Sequence, residues 1–191
     1  MDRGRSIMNN NLQNILAQLN YFVDKKYIKL GEPTSYDIVT SAEARLECRF
    51  SNQMRLFFKV HNGAHLIDEY IPGIYLPDNF NFLTEQDVLS VNPDALDKAP
   101  DIVGSNLIKR TFNWWPSNWL EIGQDSFGCF YVADIDSLNA VGESQIFWVD
   151  HESMGVDNPE RKLIAEDYFG FLDWTIKQLI NRYDRNGNPK L

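Results

Sequence analysis

The chain has 191 residues, of which 43% are hydrophobic and 13% aromatic, and its formal net charge is −9 at pH 7. This length and composition are typical of a globular chain with one substantial hydrophobic core. The sequence has no apolar run near the roughly 18 residues that a membrane span requires, and its N-terminal segment lacks the apolar stretch of a signal peptide. We therefore expect a cytoplasmic protein that has no membrane partner.

The acidic charge is concentrated in the middle of the chain. Residues 61–160 contain three basic residues, Lys98, Lys109 and Arg110, against seventeen acidic ones, a balance of −14. Such a field repels the phosphates of nucleic acids and attracts a partner with a basic face. We expect no nucleic-acid partner, and a toxin that acts on nucleic acid would present the required basic face. The alternative is that acidic loops only keep the protein soluble.

Helical patterns occupy the first sixty residues. Apolar residues recur at steps of three and four over Met8–Lys29, which predicts an amphipathic first helix. Thr34 or Ser35 can cap a second helix that continues to about Glu47, and Ser51 can cap a short third one. The side chains expected to face the core from these two helices are Ile38, Ala42, Leu46, Met54, Phe57 and Phe58.

The following segment has the pattern of strands and turns. A hairpin is predicted from Ala64–Tyr70 and Ile74–Leu76, on either side of Pro72 and Gly73. Later strands are predicted over residues 119–123, 129–135 and 145–149, with a polar turn over residues 123–128. No helix or strand is predicted between residues 101 and 116.

The clearest helical pattern closes the chain. Between Asp167 and Tyr183 the apolar residues fall at three- and four-residue steps, and Asp167 can act as the N-cap. We therefore expect an α+β fold, a single domain over residues 8–183 in which helices pack against a twisted, mainly antiparallel sheet. Residues 1–7 are expected to form a disordered N-terminal extension, with Met8 a candidate natural start, and residues 184–191 a frayed tail.

Three groups of residues in the C-terminal half occur in a recognisable order. They are a strand pair with Ile122, Gly123, Asp125, Gly128, Tyr131 and Asp134, a strand and turn with Trp148, Val149, Asp150, His151 and Glu152, and a helix start with Ile164, Ala165, Asp167, Tyr168, Phe171 and Leu172. This order resembles the SUKH superfamily of bacterial immunity proteins and fungal cell-wall-synthesis regulators. Upstream, Glu43, Phe57, Phe58, Asn62 and Gly63 are also similar, but Phe50 and Ser51 stand where the family has a Leu-Pro step.

The resemblance covers roughly residues 35–180 and implies a SUKH-like α+β fold. It also implies a protein-binding module without enzymatic activity. The first expectation is an immunity protein that occludes a cognate bacterial toxin, for which a nuclease is one candidate. The alternative within the same superfamily is an intracellular regulator or scaffold of cell-wall synthesis.

The candidates for catalysis are weak. Ser126 lies between glycines, but it lacks the GxSxG pattern of a nucleophile elbow, and a strand follows it where the elbow needs a helix. The residues Asp150, His151 and Glu152 could form an acid–base group or hold a cation, because histidine is tunable near neutral pH, but they are more typical of a turn at the end of a strand. We therefore predict no catalytic residue.

The candidates for metal binding are equally weak. His61 and His65 lie four apart, but the Asn62-Gly63 pair between them ends a helix and prevents both from sharing one helical face. Cys48 and Cys129 lack the close spacing of cysteine zinc sites and give no reason to expect a disulfide. We predict no metal, and no phosphate-binding glycine loop indicates a cofactor.

Aromatic residues are the candidates for partner contact. Trp114, Trp115 and Trp119 cluster around Pro116; core packing is their ordinary role, whereas exposed indoles can anchor an interface or stack on a sugar. A carbohydrate-binding or carbohydrate-processing protein is therefore a further alternative. Strand aromatics that face away from the helices, rimmed by acidic residues, would form a binding surface. The residues predicted to bind the partner are Asp68, Glu69, Trp114, Trp115, Asp125, Phe127, Tyr131 and Asp134.

Overall fold

The computed structural model describes residues 3–24, 28–66, 69–71, 102–110, 114–155, 159–183 and 190. The helices in these residues are α1 (Arg3–Asp24), α2 (Tyr36–Arg45), α3 (Asn52–Val60), α4 (Ile102–Arg110) and α5 (Tyr168–Arg182), with a short 3₁₀ helix at His151–Ser153. The strands are β1 (Ile28–Leu30), β2 (Ala64–Leu66), β3 (Glu69–Ile71), β4 (Trp119–Asp125), β5 (Phe130–Leu138), β6 (Ser144–Val149) and β7 (Arg161–Ala165). The predicted α+β fold is confirmed.

The strands form one sheet in which each strand pairs with the next along the chain, and every pairing is antiparallel. The main core lies on the face that the helices cover. It contains Leu120 and Ile122 from β4, Tyr131 and Ala133 from β5, and buried residues from all five helices. Because side chains alternate along a strand, the opposite face, which we call the outer face, carries Trp119, Phe130, Val132, Phe147 and Val149.

Helix α5 agrees closely with its prediction. The Asp167 carboxylate accepts a hydrogen bond from the Gly170 amide at 2.7 Å and caps the helix. The buried stripe that covers the sheet contains Tyr168, Phe171, Leu172, Ile176 and Leu179. The residues 184–189 of the predicted tail lie outside the described residues.

Helix α1 differs from its prediction at both ends. It begins at Arg3, five residues before Met8, and ends at Asp24 rather than near Lys29. Residues 3–7 are therefore helical and do not form a disordered extension. Gly4 is the one residue among them with poor helix propensity, and a single such residue near a helix end costs little. Leu12, Ile15 and Leu19 lie in the main core, as the periodicity predicts.

The caps of α2 and α3 are also confirmed. Ser35 accepts a hydrogen bond from the Ile38 amide and Ser51 one from the Met54 amide, each at 3.3 Å. The prediction that Ile38 faces inward is wrong: its side chain is 36% exposed, and Val39 is buried in its place. Ile38 lies four residues before the buried Ala42 and Val39 three, so the helical spacing alone is compatible with either residue facing the core.

The first hairpin lies earlier than predicted. Ala64 pairs with Ile71 and His65 with Tyr70, so the stretch Ala64–Tyr70 contains two paired strands and not one long strand. The second predicted strand, Ile74–Leu76, lies outside the described residues. The Pro72-Gly73 pair is therefore not the turn that joins β2 to β3.

Helix α4 was not predicted, and it closes an edge of the sheet. Within the described residues, strand β3 pairs with β4 only at Asp125 and Gln124, and no described strand lies beside the earlier residues of β4 on that side. Asn106 of α4 fills this place by bonding to the backbone of Glu121. An unpaired strand edge that is covered in this way cannot pair with another chain.

No helix within the described ranges has both the length and the apolar character needed to cross a membrane.

Candidate protein-binding site

A second apolar cluster lies on the outer face of the sheet. Its buried members are Trp115, Trp119, Val132 and Val149, and the partly buried Phe130, Phe147 and Met154 pack against them. Trp115 is the centre of the cluster, because its ring lies edge-on to Trp119 at 5.8 Å and to Phe130 at 5.5 Å between centroids. The cluster gives this end of the sheet a fixed aromatic layer.

A buried ion pair supports the aromatic layer from α4. The Lys109 ammonium contacts the carboxylate of Glu121, whose side chain is 1% exposed, and the Ser105 hydroxyl donates to the same carboxylate. The Lys109 nitrogen also lies 4.5 Å from the centroid of the Phe130 ring and 5.4 Å from that of Trp115. Lys109 is therefore held by one carboxylate and two ring faces, an arrangement that stabilises a cation away from water.

The turn between β4 and β5 is organised by Asp125. One carboxylate oxygen accepts hydrogen bonds from the amides of Phe127 and Cys129, each at 2.9 Å, and the other accepts from the Trp148 indole at 3.0 Å. Gly128 has a φ of 84°, a conformation that glycine adopts without strain. These bonds hold the turn in one shape and leave the Phe127 side chain 80% exposed at its tip.

Cys129, Asp150 and His151 converge beside this turn. The Cys129 sulfur lies 3.4 Å from His151 Nδ1 and 3.8 Å from Asp150 Oδ1, and the latter two atoms are 3.9 Å apart. Asp150 also caps the 3₁₀ helix by accepting from the Glu152 amide at 3.0 Å, which agrees with the predicted turn. Desolvation raises the pKa of the Cys129 thiol, which keeps it protonated at neutral pH and poorly nucleophilic.

Acidic residues lie at the same end of the sheet as the exposed Phe127. The Asp150 amide bonds to the Glu160 carbonyl, and the side chains of Glu152 and Glu160 are exposed. We call the surface formed by Asp125, Phe127, Asp150, Glu152 and Glu160 the hairpin end. It combines one large apolar side chain with a rim of carboxylates, a combination suited to a basic protein partner.

The structure corrects three of the predicted partner-binding residues. Tyr131 is 2% exposed and packs against Phe171 and Trp174 on the helix-covered face. Trp115 is 5% exposed in the outer-face cluster, and Asp134 is 5% exposed. These side chains are buried, so they cannot line a docking surface.

Asp134 has a structural role instead. Its carboxylate accepts hydrogen bonds from the Asn118 side chain at 2.9 Å and from the amides of Asp136 and Ser137 at 3.2 and 3.3 Å. Glu121 and Glu143 are likewise buried. Part of the acidic surplus between residues 61 and 160 therefore stabilises the fold and does not contribute to a surface field.

The other predicted residues fall in different places. Trp114 is 40% exposed and lies edge-on to Trp115 at 6.1 Å, next to the outer-face cluster. Glu69 is paired with Asp125 in the register of β3 and β4, which places its backbone at the hairpin end. Asp68 lies outside the described residues. Asp125 and Phe127 both belong to the hairpin end.

A separate cleft of about 470 Å³ lies between the α2–α3 corner and the β5–β6 hairpin. Arg49, Arg55 and Asp136 line it, and Arg55 makes a bidentate contact to Glu43 at 2.8 and 2.7 Å. Cys48 also lines the cleft, where desolvation by burial raises the pKa of its thiol. No histidine lines it among the described residues, so its cysteine has no adjacent imidazole base.

Comparison with models of protein families agrees with this fold. A comparison with curated proteins finds no match to the chain. The model of the SMI1 / KNR4 family (SUKH-1) matches residues 33–174, which include every element from α2 to the first half of α5. Proteins of this family are generally non-catalytic immunity proteins or regulators that bind other proteins. The chain belongs to the SMI1 / KNR4 family, and the resemblance identified from the sequence is confirmed.

Proposed function

We propose that this chain is an immunity protein that binds a cognate bacterial toxin through the hairpin end and blocks the toxin by occlusion. The observation that carries the proposal is the exposed Phe127, 80% accessible on a turn that Asp125 holds rigid. It has the largest exposed fraction among the exposed large hydrophobic residues of the described chain. A pre-organised aromatic anchor loses little conformational entropy when it binds.

The charge of the hairpin end supports a partner with a basic face. Glu152 and Glu160 are exposed, and Asp125 and Asp150 are half-buried at the same end of the sheet. A toxin that acts on nucleic acid carries a basic active face, and the carboxylate rim would attract that face and orient it over Phe127. The blockade would be steric and electrostatic and would take place in the cytoplasm of the producing cell. It requires no catalytic residue.

Two alternatives predict different behaviour. A regulator or scaffold of cell-wall synthesis would bind a protein of the producing cell and would give no protection from a toxin. A carbohydrate-binding protein would require exposed indoles, but Trp115 and Trp119 are buried and leave Trp114 as the one exposed member of that group. The carbohydrate alternative is therefore much weakened.

The test is co-expression with the toxin domain encoded beside this chain's gene. We expect survival of the cells and a complex that co-purifies. The double variant Glu152→Lys, Glu160→Lys should lose both, whereas the matched reversal of two exposed acids elsewhere, Glu32→Lys with Glu47→Lys, should retain both. Absence of rescue and of a complex with the wild-type chain would contradict the immunity function. If the Glu152/Glu160 variant still protects the cells and the Glu32/Glu47 variant does not, the binding surface lies near α2 instead.

A further inference from the structure

We propose that Cys129, Asp150 and His151 form a binding site for a single Zn²⁺ ion. Among the described residues, they form the one group of three potential ligands whose atoms lie within 4.8 Å of one another. The site shares Asp150 with the hairpin end, but it is defined by protein ligands alone and does not require the proposed toxin.

The distances fit one face of a tetrahedral zinc site. With Zn–S of about 2.3 Å and Zn–N and Zn–O of about 2.0–2.2 Å, tetrahedral geometry places pairs of ligand atoms about 3.3–3.6 Å apart. The three separations here are 3.4, 3.8 and 3.9 Å. A shift of a few tenths of an ångström closes the triangle on a metal ion, a movement that side-chain rotation alone can provide.

The sheet register holds two of the ligands in place. Phe130 pairs with Val149 in neighbouring antiparallel strands, which puts Cys129 and Asp150 side by side just beyond the paired residues. The Cys129 amide is held by Asp125, and Asp150 is fixed by its bond to the Glu152 amide. His151 begins the 3₁₀ helix that follows. Metal ligands whose backbone is already fixed lose little freedom on binding.

The ligand set selects the metal. A thiolate, an imidazole and a carboxylate together suit Zn²⁺, whereas Mg²⁺ and Ca²⁺ require oxygen ligands. His151 is exposed and Asp150 half-buried, so the fourth position is open to water. On binding, the Cys129 thiol releases its proton to solvent as the Zn–S bond forms.

The same three residues do not fit a cysteine–histidine catalytic triad. In such a triad the carboxylate orients the imidazole through the ring nitrogen that does not contact the cysteine. Here the sulfur and the Asp150 oxygen both approach Nδ1 of His151, at 3.4 and 3.9 Å. Convergence of all three atoms on one point favours a shared ion over proton relay.

The test is titration of the chelator-treated full-length chain with Zn²⁺, followed by calorimetry. We expect one Zn²⁺ site per chain and no binding of Mg²⁺. His151→Ala should reduce the affinity for Zn²⁺ by more than about 100-fold, because the loss of a metal ligand should exceed the effect of losing an outer-shell partner. His151 is exposed, so its replacement should leave the fold intact. Cys48→Ser, which removes the other cysteine, should bind Zn²⁺ like the wild type.

Two further readouts complete the test. Co²⁺ should produce a thiolate-to-metal charge-transfer band that Cys129→Ser lacks and Cys48→Ser retains. Zn²⁺ at 100 times its Kd should raise the Tm of the wild type by about 5–10 °C and leave that of His151→Ala unchanged. No binding at millimolar Zn²⁺, or equal binding by wild type and His151→Ala, would overturn the site and leave an ordinary thiol–imidazole contact.

Discussion

The Asn106 side chain in α4 bonds to both backbone groups of Glu121 in β4. Its amide oxygen accepts from the Glu121 amide at 2.7 Å, and its nitrogen donates to the Glu121 carbonyl at 2.9 Å. The same nitrogen also donates to the Ile102 carbonyl at 2.8 Å, and the side chain is fully buried. Asn106 thus satisfies the Glu121 backbone at this edge of β4 and joins α4 to the sheet.

Asn106→Ala should therefore destabilise the protein strongly. The substitution leaves the buried amide and carbonyl of Glu121 without partners, and each unsatisfied group costs about 1–3 kcal/mol. We expect a loss of about 2–5 kcal/mol in the free energy of unfolding, measured by urea denaturation. Asn181→Ala, at an exposed position of α5, is the control and should change it by less than about 0.5 kcal/mol. A similar small change in both variants would show that the edge does not depend on Asn106.

The ion pair of Lys109 and Glu121 predicts non-additive effects. Lys109→Met leaves the buried Glu121 carboxylate without its counter-charge and should cost about 3–5 kcal/mol. The double variant Lys109→Met, Glu121→Gln removes the charge as well and should recover at least about 1 kcal/mol of that loss. Urea denaturation of the two single variants and the double variant measures this coupling. Strict additivity would mean that the pair does not interact in solution.

The Tyr168 hydroxyl predicts a stabilising substitution. Tyr168 is 1% exposed, and within the described chain its hydroxyl oxygen has no hydrogen-bond partner. Burial also raises the pKa of Tyr168, so the phenol stays neutral. Tyr168→Phe should increase the free energy of unfolding by about 1 kcal/mol, because the cost of burying an unpaired hydroxyl disappears. The control Tyr36→Phe, at a 71% exposed site, should not change the free energy of unfolding measurably. A loss of stability in Tyr168→Phe would show that the Tyr168 hydroxyl makes a hydrogen bond.

The buried Glu143 predicts a pH dependence of stability. Burial raises the pKa of Glu143 above its ordinary value of 4.5, although the Ser51 hydroxyl and the Gln53 amide oppose this by hydrogen bonding. The folded protein therefore binds this proton more tightly than the unfolded chain. The resulting stabilisation is complete below the unfolded pKa and is lost as the pH rises through the folded pKa.

Glu143→Gln lacks this titration. We expect the stability of Glu143→Gln relative to wild type to rise as the pH increases from about 4.5 to 8, measured by urea denaturation across that range. Asn181→Ala, which removes no titratable group, should give a flat difference. A difference that falls with pH for Glu143→Gln would mean that the folded protein favours the charged carboxylate.

Much of the architecture was predictable because its signals are local. Ser35, Ser51 and Asp167 are capping residues next to their own helices, and the stripe of α5 repeats within one element. Helix α4 was missed because its polar Ser105, Asn106 and Lys109 bond to Glu121 of β4. A polar face that is buried against a distant strand gives no amphipathic pattern.

The site was only partly predictable for a related reason. Alternation shows that Phe130 and Tyr131 point to opposite faces, but it does not tell which face the helices cover. The convergence of Cys129 with Asp150 and His151 depends on the register of β5 and β6, with Phe130 opposite Val149. Pairing the two predicted strands in that register would have brought Cys129 next to Asp150. No cysteine spacing in the sequence carries that information.

The affinity of the toxin for Phe127→Ala tests the central proposal most directly. Phe127 is 80% exposed at the tip of the β4–β5 turn, so its removal should not affect folding, and Val141→Ala, 68% exposed in the β5–β6 connection, is the matched control. The affinity for the purified toxin domain should fall by at least about 30-fold in Phe127→Ala, which corresponds to a loss of about 2 kcal/mol or more at a hot spot. It should stay unchanged in Val141→Ala. Equal affinities for wild type and Phe127→Ala would contradict the hairpin end as the binding surface.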